Sequence, residues 1–165
     1  MNSERMTYRL FFVGLLASLL VSCQSPEQGA ENAAKEQAGS RAEPLASLPP
    51  ERIADLARRC DFVDYMFYYA NFSLSQDNPG GIRQTVAFIG PGGIAPDPDC
   101  KPMGRIFFQE KGEILLEGDM YFQDHCRYFL FLENGKPKYA HAMTPAAVTF
   151  LNQIFARAQQ SPYGS

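Results

Sequence analysis

Two histidines and four cysteines have the widest chemical range of any side chains in this chain. Asp124-His125-Cys126 is their densest grouping. Neighbouring side chains on an extended strand point to opposite faces, so three consecutive residues do not converge on one atom. The triplet reads instead as a turn ending in a half-cystine. Adding His141, Cys60 and Cys100 supplies none of the paired short spacings that mark zinc sites, so neither a metal nor a cofactor is expected. A cysteine nucleophile at Cys126 or Cys60, activated by His141 and oriented by Asn152, would need a thiolate stabilised by a helix N-terminus or an adjacent base. The spacing places neither, so no catalytic residue is assigned.

Two further motifs fail on their missing partners. Gly90-Pro91-Gly92-Gly93 lacks the Lys-Ser/Thr pair of a phosphate loop and follows a helical pattern where such a loop would open one. Asp97-Pro98-Asp99 begins like a calcium loop but lacks the later oxygen ligands, so it reads as a solvated loop. The aromatic residues hold more promise. Tyr65, Tyr68, Tyr69, Tyr121, Tyr128 and Tyr139 are more phenols than a small core can bury with every hydroxyl satisfied. Exposed Tyr gives rigid, amphipathic contact area at low entropic cost. The candidate binding surface is Tyr128, Tyr139 and His141, on one hairpin.

The elements that must position these residues follow from periodicity. A first helix is expected from Pro49 to Arg59, capped by Ser47, with Ile53, Leu56, Ala57 and Cys60 on its apolar stripe. Asp61 to Ala70 reads as an aromatic strand covered on both faces. Asn78 and Pro79 open a helix expected to run to Ile89, where Gly90-Pro91 stops it; a strand is the alternative. Met103 to Gln109 and Glu113 to Phe122 form a hairpin, for which a three-residue loop sets Arg105 opposite Glu117 and Ile106 opposite Leu116. Arg127 to Glu133 and Lys136 to Met143 form a second on Asn134-Gly135, with Tyr128 opposite His141 and Tyr139 opposite Leu130, all on one face. Thr144 and Pro145 open a closing helix with Val148, Leu151, Phe155 and Ala158 inward. The expected fold class is α+β, a mainly antiparallel sheet with helices packed on one side, in a single domain over residues 48–160 followed by a short tail, 161–165.

That hairpin register sets Cys100 opposite Phe122, with Cys126 just beyond the following turn, so a Cys100–Cys126 disulfide is expected and Cys60 is left as a buried thiol.

The first residues say where the chain goes. Arg5 and Arg9 precede an apolar run from Leu10 that closes on Leu20-Val21-Ser22-Cys23, the pattern of an export signal. The run is shorter than the roughly 20 residues needed to span a bilayer. The segment resembles the lipobox of bacterial lipoprotein precursors. That resemblance implies that residues 1–22 are a signal peptide and that Cys23 becomes the lipidated first residue of the mature chain. It also implies anchorage in the cell envelope, with the outer membrane favoured because Gln24, not Asp, follows the cysteine. Residues 24–47, rich in Ala, Glu, Gln, Gly and Ser, bury too little to offset ordering entropy and read as a tether spanning roughly 25 to 30 Å. The formal charge of −3 argues against a nucleic-acid partner. The expected function is non-enzymatic binding of an envelope protein or carbohydrate. The alternative is an envelope enzyme or thiol-redox protein using a free cysteine or His141.

Overall fold

A period-two alternation of apolar and polar residues makes one face of each long strand apolar, and the fold buries that face. In a computed structural model of the protein, residues 42–160 are described. Cys23, the tether to residue 41 and the tail 161–165 lie outside the described residues. The strands are β1 (Phe62–Phe67), β2 (Ser73–Gln76), β3 (Ile89–Gly92), β4 (Gly104–Glu110), β5 (Glu113–Tyr121), β6 (Tyr128–Glu133) and β7 (Lys136–Met143). They form one seven-stranded sheet in the order β2-β1-β4-β5-β6-β7-β3, antiparallel throughout. Three helices, α1 (Pro50–Arg59), α2 (Pro79–Val86) and α3 (Pro145–Gln160), complete the described elements. No helix of the described residues is long and apolar enough to cross a membrane.

Leu56 of α1, Ile82 and Val86 of α2, and Ala147, Leu151 and Phe155 of α3 enter one cluster with Val63, Tyr65, Ile106, Phe108, Leu116, Phe129 and Phe131. All three helices therefore cover the same sheet face, and the fold is α+β with a mainly antiparallel sheet. Thr144 caps α3 as expected, its hydroxyl accepting from the Ala147 N–H. The cap of α1 differs. Its N-cap is Pro49 with no side-chain hydrogen bond, and Ser47 instead borders Gly92 and Gly93. The aromatic strand is also shorter, ending at Phe67, and its outer side chain Met66 is 47% exposed, so only one of its faces is covered.

The second expected helix stops at Val86 instead of Ile89. Asn78 caps it through the Gly81 N–H, but Gly90 and Pro91 then belong to β3. The edge of β7 offers backbone partners to an extended segment, and an edge strand tolerates Pro91, which has no N–H to donate. Beside β3, the Leu45 N–H donates to the Ile94 carbonyl and Ala46 bridges Tyr139, so the domain packs in residues that composition assigns to the tether.

Both hairpins depart from their expected registers. The first turns on Lys111-Gly112 alone, both at positive φ (52° and 85°), and Glu110 pairs with Glu113. A bulge then inserts Leu115, so Phe108 faces Leu116 and Arg105 faces Asp119 instead of Glu117. The bulge restores the parity that a two-residue turn would lose, keeping Ile106, Phe108 and Leu116 on the buried face. In the second hairpin Asn134-Gly135 is the turn, but a bulge at Lys138 sets Tyr139 opposite Phe131 and His141 opposite Phe129. Tyr128 faces Ala142.

Candidate functional site

The second bulge dissolves the expected aromatic patch. Tyr139 and His141 turn toward the helix-covered face beside Phe131, whereas Tyr128 lies on the opposite face with Leu130 and Ala140. None of the three is an exposed surface residue. Tyr139 is buried with its hydroxyl donating to Glu133 at 3.3 Å. His141 is 3% exposed. Its Nδ1 donates to the Gly90 carbonyl at 2.8 Å, and its Nε2 accepts from the Leu48 N–H at 2.8 Å. The imidazole thus pins β3 and the N-terminal segment to β7. Such pairing fixes the neutral tautomer and occupies both ring nitrogens, leaving none to act as a base.

The remaining nucleophile candidates are equally occupied. The Cys60 thiol is buried, donates to the Phe62 carbonyl and is pushed up in pKa chiefly by desolvation, which leaves it inert. The Asn152 amide donates to the Phe122 and Val148 carbonyls.

Functional groups converge instead at one end of the sheet. β1 ends there, β4 begins there, and β5 hands over to β6 through the turn after Phe122. Cys100 and Cys126 are joined in a disulfide, with their Cα atoms 5.9 Å apart, so the pairing stands although the register that suggested it does not. The bridge ties the loop between β3 and β4 to that turn. Asp124 sits in the left-handed region at φ 51°, which swings His125 back over the bridge. His125 Nε2 lies 3.1 Å from Asp97 Oδ2 and 3.9 Å from Cys100 Sγ. The expectation that adjacent residues diverge fails here because the turn is not extended: the ligand atoms of Cys100, His125 and Cys126 fall within 4.8 Å of one another. The imidazole is exposed. A cavity of about 420 Å³ opens beside the bridge, lined by Tyr69, Lys101, Met103, His125 and Phe155 among others.

Next to this end lies the sheet face that none of the described helices covers. Tyr121 and Tyr128 stack on it with ring centroids 4.3 Å apart, under a lid of Leu45, Ile94 and the disulfide. The Tyr128 hydroxyl donates to the Asp97 carbonyl, and burial, then the neighbouring Tyr121, pushes its pKa up to about 12. Toward β1 the lid ends. Arg105 Nε donates to Asp119 at 2.9 Å, its guanidinium lies 3.7 Å from Glu117, and the Tyr68 hydroxyl donates to Asp119 at 3.0 Å. The Asp119 hydrogen bond raises the Arg105 pKa further, while burial and then Asp119 raise that of Tyr68. Met66, on the same face as Arg105, and the ring of Tyr68 are left exposed around this network.

Sequence reasoning missed two of these groupings. The Arg105–Asp119 pair depends on the bulge at Leu115, which the turn residues do not announce. The Asp97–His125 contact did have a signal: Asp97-Pro98-Asp99-Cys100 and Asp124-His125-Cys126 each end in a half-cystine, so assigning the bridge brings the two segments together. No family model matches this chain, and no curated protein or solved structure matches it either.

Proposed function

We propose that this chain is an exported lipoprotein, held in the bacterial outer membrane through Cys23, whose single domain binds an envelope protein or carbohydrate without catalysis. The lipobox-like Leu20-Val21-Ser22-Cys23 supports the anchor. The observation that carries the binding reading is the sheet face left uncovered by the described helices, where exposed Met66 and Tyr68 surround the Arg105–Asp119 pair. Apolar and aromatic side chains around a fixed, already hydrogen-bonded charge pair give contact area whose polar groups cost little further desolvation on binding. This face replaces Tyr128, Tyr139 and His141 as the binding surface. The mild acidity of the chain favours neither nucleic acid nor anionic lipid headgroups as the ligand.

Two measurements test the proposal. Acyl labelling should mark the wild-type chain and not Cys23→Ala; a labelled Cys23→Ala protein would refute the anchor. A photo-crosslinking residue at position 66 should capture one partner in cells, and Tyr68→Ala should reduce that capture while the domain stays folded by circular dichroism. Equal capture from a crosslinker at Arg83, exposed on α2, would refute the face.

A further inference from the structure

Cys100, Cys126 and His125 form a closed figure of donors, and only the sulfur–sulfur bond prevents them from acting as ligands. We propose that, once this disulfide is reduced, the two thiolates and the His125 imidazole bind a borderline divalent cation of the Zn(II) type, with the fourth position left to water. This inference goes beyond the binding function proposed above and does not depend on it.

The geometry is near what such a cation needs. Tetrahedral zinc with thiolate and imidazole ligands has bonds of about 2.3 and 2.0 Å, which sets ligand atoms roughly 3.5 to 3.8 Å apart. Cys100 Sγ and His125 Nε2 are 3.9 Å apart. All three soft donors lie within one 4.8 Å group. Cleaving the bridge lets the sulfurs separate to the ligand spacing without moving the Cα atoms far from their 5.9 Å separation. The donor set of two sulfurs and one nitrogen selects zinc-like cations over calcium or magnesium, which prefer all-oxygen cages. His125 is exposed and the adjoining cavity of about 420 Å³ gives the ion a route in.

The chemistry balances in two steps. A dithiol reductant transfers two electrons and two protons to the Cys100–Cys126 bond, giving two thiols and the oxidised, cyclic disulfide of the reductant. Binding of the cation then displaces the two thiol protons to solvent as two sulfur–metal bonds form. In the reduced protein the metal takes over the cross-link between the loop that carries Cys100 and the turn that carries Cys126.

The test uses the full chain with Cys23→Ser, so that no thiol outside the domain competes, titrated with Co(II) as a spectroscopic probe. Treated with a small dithiol, the protein should bind one Co(II) with the near-ultraviolet thiolate-to-cobalt band and the visible bands of a tetrahedral site. Zn(II) should displace it stoichiometrically. The oxidised protein should show neither band. His125→Ala should weaken the reduced protein's affinity at least tenfold, and Cys100→Ser should at least halve the charge-transfer band. If reduction unfolds the domain, the readout becomes recovery of its circular dichroism on adding Zn(II), expected for the parent and lost in His125→Ala. A disulfide that resists the dithiol, binding unaffected by His125→Ala, or no stoichiometric metal in the reduced chain would each overturn the proposal.

Discussion

Replacing His141 by Leu should destabilise the domain by roughly 3 to 5 kcal/mol, and the figure follows from what the imidazole touches. The substitution keeps an apolar side chain in a site that is 3% exposed and removes both polar contacts. An unpaired buried donor or acceptor costs about 1 to 3 kcal/mol. The Leu48 N–H is fully enclosed and belongs in the upper half of that range. The Gly90 carbonyl is half-buried and water can reach it, so it belongs in the lower half. His141→Asn, whose amide can still donate to Gly90, should recover about 1 kcal/mol of the loss. Urea unfolding at neutral pH with a shared m-value measures the difference. Hydrogen exchange supplies an independent reading: the Leu48 amide should be protected in the parent and exchange quickly in His141→Leu. A His141→Leu midpoint within about 1 kcal/mol of the parent, or an unchanged Leu48 exchange rate, would refute the assignment of His141 as a structural pin.

Four other outcomes follow from the same structure. Reducing the Cys100–Cys126 bridge in the absence of metal, which frees a loop of 26 residues, should lower stability by about 3.5 kcal/mol on the chain-entropy relation, read as a urea midpoint shift. Gly118→Ala would place a Cβ 2.6 Å from Phe131 Cδ1 and 3.0 Å from the Leu130 carbonyl, so calorimetry should show an overpacking loss of about 1 to 3 kcal/mol. Tyr65→Phe removes the buried hydroxyl 2.6 Å from Thr85 Oγ1 and should cost about 1 to 2 kcal/mol by urea unfolding, with the fold unchanged. Tyr128, with its pKa pushed up to about 12, keeps its proton in the folded state when the unfolded chain has lost it. Its contribution is therefore complete below about pH 10 and is lost as pH rises through about 12; Tyr128→Phe should diminish the late phase of phenolate absorbance, which Tyr65, Tyr68 and Tyr121, also pushed up by burial, share.

The parts of the fold written in local chemistry were legible in the sequence. Thr144-Pro145 and Asn78-Pro79 cap their helices and Asn134-Gly135 makes its turn, while Cys100 pairs with Cys126 as expected although the register that suggested it differs. The bulges at Leu115 and Lys138 were not, because a bulge is selected by which side chains must share a buried face across strands, not by the residues that form it. One inserted residue moved His141 and Tyr139 from a supposed surface into the core. A similar competition decided Ile89, the last residue of the expected helical stripe, which pairs instead with Met143 at the edge of β7. For the site, residue types pointed to the Tyr side chains and to the His125–Cys126 segment, but the left-handed Asp124 that aims His125 cannot be read from the periodicity of the chain.

The two outer strands bear on how copies of this domain behave when crowded. An open strand edge is a template for another chain, and both edges here are poor templates. β2 has only four residues, and its Ser75 hydroxyl is already engaged by Asp64 across β1. β3 is equally short, and Pro91 removes a donor from it. Copies crowded together would therefore resist edge-to-edge fusion into a shared sheet, the route by which many sheet proteins aggregate. Any stable self-association would have to use a face of the sheet or a helix surface, where side chains and not backbone amides decide what fits.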